Sequence, residues 1–233
     1  MASSEPSAHE AYWQPAVNYL HQHLTPSYRV EAVDTSGHWA AVYLPRAGIP
    51  LTRGWFRQDD FPQNEVLYNR LDGPTYLHWL RRLGVRYVVL TDAPSDYSSR
   101  EEARVIRSGR SGLVRVLRTE HITIFAVPRP RPLLTGSAPA EVFSLKQTYV
   151  LLRVDAPGQY RLAVRYSPYW RVTGACVSRG PDGMVRLTTP SSGFFMLRFK
   201  VDAGRALATM VGSGPGDCAG QPVPPSPRSG PSP

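Results

Sequence analysis

The chain of 233 residues is long enough for one to two domains of roughly 100–150 residues each. Its 42% hydrophobic against 19% charged residues exclude a wholly disordered polypeptide, because enough apolar surface exists to offset chain entropy. The net charge of +9 comes from 25 Arg and 2 Lys against 18 acids, a skew that names no partner by itself. Charge-free apolar runs such as Trp39 to Pro45 fall far short of the roughly 18–20 residues a bilayer span needs, so no transmembrane helix is expected.

Met1 to Ala11 is small and polar, with neither a basic start nor an apolar stretch, which predicts no secretory signal peptide. Two readings follow: a cytoplasmic protein, or part of a larger polypeptide whose upstream region supplies targeting. Trp13, Ala16, Val17, Leu20 and Leu24 recur at three- and four-residue spacing and predict an amphipathic helix, with Pro15 suited to its first turn. Arg29 to Val33 and His38 to Leu44 read as two strands of a hairpin around the turn Asp34-Thr35-Ser36-Gly37. Pro45 to Pro62 is irregular. Pro74 opens a second helix that carries Leu77, Leu80 and Leu83 and ends at Gly84, immediately before a buried-type strand from Val85 to Thr91. Ser98-Ser99-Arg100-Glu101 has the spacing of a capping box for a third helix to about Arg107, and Leu113 to Leu117 with Ile122 to Val127 reads as a second hairpin.

Arg129 to Pro139 is dense in proline and small residues, and helical periodicity stops beyond it. Glu141 to Val154, Gln159 to Tyr166, Arg171 to Val177, Met184 to Thr189 and Phe194 to Val201 are short β-rich runs. Turns are expected at Pro157-Gly158, Asp182-Gly183 and Ser191-Ser192-Gly193. The expected organisation is an α+β or α/β domain over residues 12–128, a linker over 129–140, and an antiparallel β-sandwich over 141–210. A Pro/Gly/Ser tail over 211–233 is too poor in apolar residues to bury a core.

No glycine-rich dinucleotide loop, phosphate loop, nucleophile elbow or zinc-ligand spacing occurs, so neither a cofactor nor a metal is expected. His21 and His23 lie two apart on a helix and point to different faces, which fits solvated surface. The loop Gly54 to Asn64 concentrates Trp55, Phe56, Arg57, Gln58, Asp59, Asp60, Phe61 and Asn64. Aromatic faces stack on sugar rings while carboxylates and amides take hydroxyls; equally, the aromatics can pin the loop to the core while Asp59 and Asp60 cap turns or pair with Arg57. The stretch Thr91-Asp92-Ala93-Pro94-Ser95-Asp96 follows the C-terminal end of a strand, where ligands sit in open α/β sheets, but Asp and Ser before a helix are also ordinary caps. Tyr166 to Trp170 suits an aromatic platform or core packing at a strand bend. Cys176 and Cys218 are either two thiols or, in an oxidising compartment, a bridge closing a 42-residue separation, with a contribution of up to about 4 kcal/mol.

Trp39 to Pro45, Gly54 to Pro62, Leu83 to Thr91, Tyr166 to Trp170 and Cys176 to Arg179 together resemble the extracytoplasmic C-terminal region of actinobacterial multi-spanning membrane proteins. Those proteins are similar to GT-C membrane glycosyltransferases, which use lipid-linked sugars, and some carry the label "6-pyruvoyl-tetrahydropterin synthase related". The resemblance covers about Tyr12 to Ala208 and lacks the membrane helices of its relatives. It also lacks the early extracytoplasmic loop in which such enzymes hold their catalytic carboxylate, so no catalytic residue carries over. The pterin label implies no pterin chemistry, since the His ligands and Cys nucleophile of that enzyme have no counterpart here.

The leading expectation is a non-catalytic extracytoplasmic accessory module that binds or positions a glycan or lipid-linked sugar. It would work with the membrane-embedded portion of a larger or split protein, at the outer face of the cell membrane. Its candidate ligand-binding residues are Trp55, Arg57, Gln58, Asp59, Asp60, Asn64 and Asp92. The rival is a free-standing soluble enzyme with a carboxylate site between the domains, using Asp59, Asp60 or Asp92. Nucleic acid is not an expected partner, because the arginines are dispersed rather than clustered.

Overall fold

The structure, a computed structural model, describes residues 5–54 and 63–201. The fold is α+β, and the chain divides at Pro132/Leu133 into two units.

In the first unit α1 (Glu10–His23) starts earlier than the apolar spacing predicts, so Pro15 lies within the helix instead of in its first turn. Its Tyr12, Trp13, Ala16 and Leu20 are buried on one face. Strand β1 (Arg29–Ala32) has no hairpin partner at 38–44. That segment is helix α2 (Ala40–Arg46), and β1 pairs in parallel with β2 (Val85–Thr91). The expectation failed because Ala40 and Leu44, four residues apart, bury together as one helical stripe, a spacing that a short apolar run shares with a strand.

Helix α3 (Gly73–Arg82) is built as its residues dictate. Asp72 accepts the Thr75 N–H at 2.8 Å as N-cap, Pro74 occupies the first turn, and Gly84 at φ 74° reverses the chain into β2. Gly73 is needed for close approach, since a Cβ there would collide with the carbonyl oxygen of Arg110. Helix α4 (Arg100–Arg107) ends where predicted but has no capping box. Asp96 instead caps the turn Tyr97–Ser99 by accepting the Ser98 N–H at 2.9 Å, and the Ser99 hydroxyl serves other partners described below. Strands β3 (Val114–Arg118) and β4 (Ile122–Ala126) form the predicted hairpin. The sheet order is β1-β2-β4-β3, with one parallel pair and two antiparallel pairs.

The second unit, in its described residues, is made of strands. These are β5 (Leu134–Gly136), β6 (Ala140–Leu145), β7 (Tyr149–Val154), β8 (Gly158–Arg165), β9 (Trp170–Val172), β10 (Cys176–Arg179), β11 (Met184–Thr189) and β12 (Gly193–Phe199). Two four-stranded sheets result, ordered β10-β11-β8-β5 and β6-β7-β12-β9, with antiparallel pairing. The stretch 129–140, expected as linker, supplies β5 to the first of them. The apolar runs 141–154 and 171–177 each divide into two strands, at 146–148 and 173–175. Leu134, Tyr160, Leu162, Val177, Val185 and Leu187 of one sheet share an apolar cluster with Val142, Val150, Leu152, Val154, Phe195 and Leu197 of the other. Trp170 joins that cluster. It is 7% exposed, donates its indole N–H to Arg165 O at 3.1 Å and meets Phe199 edge to face, so this aromatic stretch serves packing. The expected tail, 211–233, lies outside the described residues. Among those described, no helix is long and apolar enough to cross a membrane.

Candidate functional site

The parallel pair β1/β2 directs both strands' C-terminal ends to one edge of the sheet, and an aspartate follows each. Past β1, Asp34 is buried; Oδ1 accepts the Thr35 N–H at 3.0 Å and Oδ2 meets His38 Nδ1 at 2.7 Å. His38 has a φ of 56°, so this bond holds a left-handed residue where the chain turns towards α2. Past β2, Asp92 remains half exposed. Its Oδ1 accepts the Tyr12 hydroxyl at 2.6 Å, and its Oδ2 accepts from His121 Nδ1 at 2.8 Å. Tyr12 and His121 stack with ring centroids 5.0 Å apart. The register explains the meeting: Thr91 pairs with Ile122 in the antiparallel β2/β4 ladder, so the next residues outward are Asp92 and His121.

The electrostatics follow from this geometry. Burial, and then the hydrogen bond to Asp92, pushes the Tyr12 hydroxyl up to about 12, so it remains a donor. Partial burial works against ionisation of Asp92, but the hydrogen bonds from Tyr12 and His121 outweigh it and hold the carboxyl below its usual range. The bond to Asp92 raises His121 above its ordinary 6.5, against slight desolvation. A carboxylate accepting at Nδ1 fixes the proton there and leaves Nε2, 3.9 Å from Glu120 Oε2, as the outward-facing nitrogen. The result is an exposed carboxylate with spare lone pairs beside an imidazole edge, a pairing that can accept from and donate to ligand hydroxyls.

The sign of the pH dependence is set by these shifts. Because His121 titrates higher folded than unfolded and Asp92 lower, the pair's contribution is complete between the ordinary carboxylate range and about pH 6.5; it fades as pH rises through the raised His121 value and again as pH falls through the lowered Asp92 value. In Asp92→Asn the His121 ring should titrate lower than in the parent, back towards 6.5, when followed by NMR. An unchanged titration midpoint would rule out Asp92 as the cause.

Beneath the same edge lies a buried ionic cluster. Arg53 donates from Nε to Glu31 Oε1 at 2.8 Å and from Nη2 to Glu102 Oε2 and to Ser99 Oγ, both at 2.8 Å. Tyr76 gives its hydroxyl to the other Glu102 oxygen, and the Asp34 N–H donates to the Ser99 hydroxyl at 3.1 Å. Burial first, then the two carboxylates, drives the Tyr76 hydroxyl well above its ordinary value. With side chains at most 1% exposed, Glu31, Arg53 and Glu102 tie β1, the chain after α2 and α4 together rather than face a ligand.

Of the residues singled out from sequence, Trp55, Arg57, Gln58, Asp59 and Asp60 lie outside the described residues. Asn64 is 8% exposed and accepts the Trp79 indole N–H at 3.2 Å, a packing role. Within 91–96 the capping role falls to Asp96, while Asp92 is the centre of the polar cluster. Tyr12 and His121 carry no local signal, being 80 and 29 residues from Asp92. Pairing the two strands that sequence does predict, β2 and β4, would have located His121. His21 and His23 are exposed, with His21 Nε2 at 2.7 Å from Ala47 O and His23 stacked on Tyr19. Cys176 is buried in β10 and no described cysteine is a free thiol, while Cys218 lies outside the described residues. Among the described residues no three His, Cys, Asp or Glu side chains are grouped to hold a metal. The chain matches no protein-family model, no curated protein and no solved structure.

Proposed function

We propose that the chain is a binding module for a glycan or a lipid-linked sugar, acting outside the cytoplasm as the accessory part of a GT-C-like membrane glycosyltransferase. The observation that carries the reading is the Tyr12–Asp92–His121 cluster. It stands at the C-terminal end of β2, with its acceptor and donor edges exposed and its core side held by hydrogen bonds. Sugar hydroxyls come as adjacent donor–acceptor pairs, which a carboxylate beside an imidazole matches. In this reading the two sheets of the second unit are the layers of an antiparallel β-sandwich, supported by the apolar cluster to which both contribute.

A second reading, a soluble enzyme, draws on the same pair, since an imidazole oriented by a carboxylate is the usual form of a general base. The test uses a panel of hexose and pentose oligosaccharides on the full chain. Wild type should bind at millimolar glycan, while Asp92→Asn and His121→Gln should each weaken binding roughly tenfold and change stability by no more than about 1 kcal/mol. Absence of binding by wild type, or equal binding by both variants, would sink the module reading. Cleavage of a panel member that is lost in His121→Gln would establish the enzyme.

A further inference from the structure

We propose that the open edge of β3 takes up an acidic, extended peptide of a partner protein as a further strand of the first unit's sheet. The two edges of that sheet differ. Beside β1, Val30 donates its N–H to Pro50 O and accepts from the Thr52 N–H, both at 2.9 Å, so the segment around Leu51 closes that side. On the other edge β3 has β4 on one side, and among the described residues no other strand pairs with it. The Thr119 N–H turns inward to Ile122 O at 2.8 Å. The N–H and C=O of Arg118 before it therefore point outward, as alternate residues of an antiparallel ladder do. Val114 and Val116 are 56% and 38% exposed, and Arg115 and Arg118 are exposed beside them. Outward backbone donors and acceptors on an uncovered strand suit another strand rather than a sugar or a lipid.

Charge selects the peptide. The register sets Arg115 opposite Phe125 and Arg118 opposite Thr123, and these two stand opposite Val88 and Leu90 in turn. Leu117, in line with Ile124 and Val89, packs on the cluster under α1, so both arginines belong to the other face of the sheet. Strands β2, β3 and β4 contain no acid. On α4, Glu101 is held by Arg104 and Glu102 by Arg53. The nearest acid along the chain, Glu120, lies in the β3/β4 turn, 3.9 Å from His121 Nε2. The register shift between Arg115 and Leu117 takes up Val116, so the two arginines stand over residues two apart in β4. An added strand presents every second side chain to that face, and acids two apart would meet both guanidinium groups. A second copy paired antiparallel on this edge would instead bring both arginines onto one face with their copies, where like charges repel. The edge uses other residues than Asp92 and its partners, so this proposal and the sugar-site reading can each fail alone.

The experiment titrates the full chain against three labelled synthetic peptides by fluorescence anisotropy. One alternates Val and Glu, one alternates Val and Lys, and the third is the Val/Glu peptide with its amides N-methylated. Wild type should bind the Val/Glu peptide, more weakly at high salt, and neither of the others, because one has the wrong charge and one has lost its ladder donors. The double variant Arg115→Gln/Arg118→Gln should lose roughly tenfold in binding. Both side chains are exposed, so thermal melts should not move. Asp92→Asn should bind the peptide as wild type does, which keeps this test apart from that of the sugar site. No binding of the Val/Glu peptide, undiminished binding by the double variant, or equal binding of the N-methylated peptide overturns the proposal. So does a dimer in peptide-free sedimentation equilibrium that Val114→Lys/Val116→Lys abolishes, which would assign the edge to a second copy of the chain.

Discussion

Arg53→Met should destabilise the first unit by about 3–5 kcal/mol, the usual consequence of removing one partner from a buried ion cluster. The methionine fills much of the same volume, so lost packing is a minor part. The larger part is that Glu31 and Glu102, which now converge on one guanidinium, would share a dry site with no cation. Two further readouts separate charge from packing. The deficit should shrink as pH is lowered, because protonation neutralises a carboxylate that has lost its counter-ion. Arg53→Lys should recover only part of it, because an ammonium cannot reproduce the divergent contacts of Nε and Nη2 to Glu31, Glu102 and Ser99. Urea unfolding at several pH values measures all three. A loss under about 1 kcal/mol for Arg53→Met, independent of pH, would mean that the cluster is not ionised as drawn.

Trp13→Ala is expected to cost about 3–5 kcal/mol by a different route, cavity formation. Trp13 is fully buried in the cluster that joins α1 to the sheet, packed against Tyr12 and Tyr43. Its indole N–H donates to Ser7 O at 2.8 Å, which secures the turn Pro6–Ala8 ahead of the helix. Trp13→Phe should retain most of the packing and lose the bond, at a cost nearer about 1–3 kcal/mol for the carbonyl left without its donor. Equal effects for Ala and Phe would show that the hydrogen bond, not the volume, dominates. Denaturant midpoints of the two variants decide the point.

What the sequence determined by itself is what short-range chemistry specifies. Asp72, Pro74 and Gly84 bound α3 because a cap, a first-turn proline and a left-handed glycine each act within a few residues. The β3/β4 hairpin and the turns at Gly158, Gly183 and Gly193 were legible for the same reason. Tertiary structure decided the rest. The segment Trp39 to Leu44 has apolar residues that satisfy both a strand and a helix, and only burial of Ala40 with Leu44 chose α2. Glu31 stands in the short strand β1 and is fully buried, because Arg53, 22 residues further along the chain, pairs with it there. The Asp92 site was legible only as one residue at a strand end. Tyr12 and His121 reach it through helix packing and strand register, which depend on which surfaces can be buried against each other and leave no mark in local spacing.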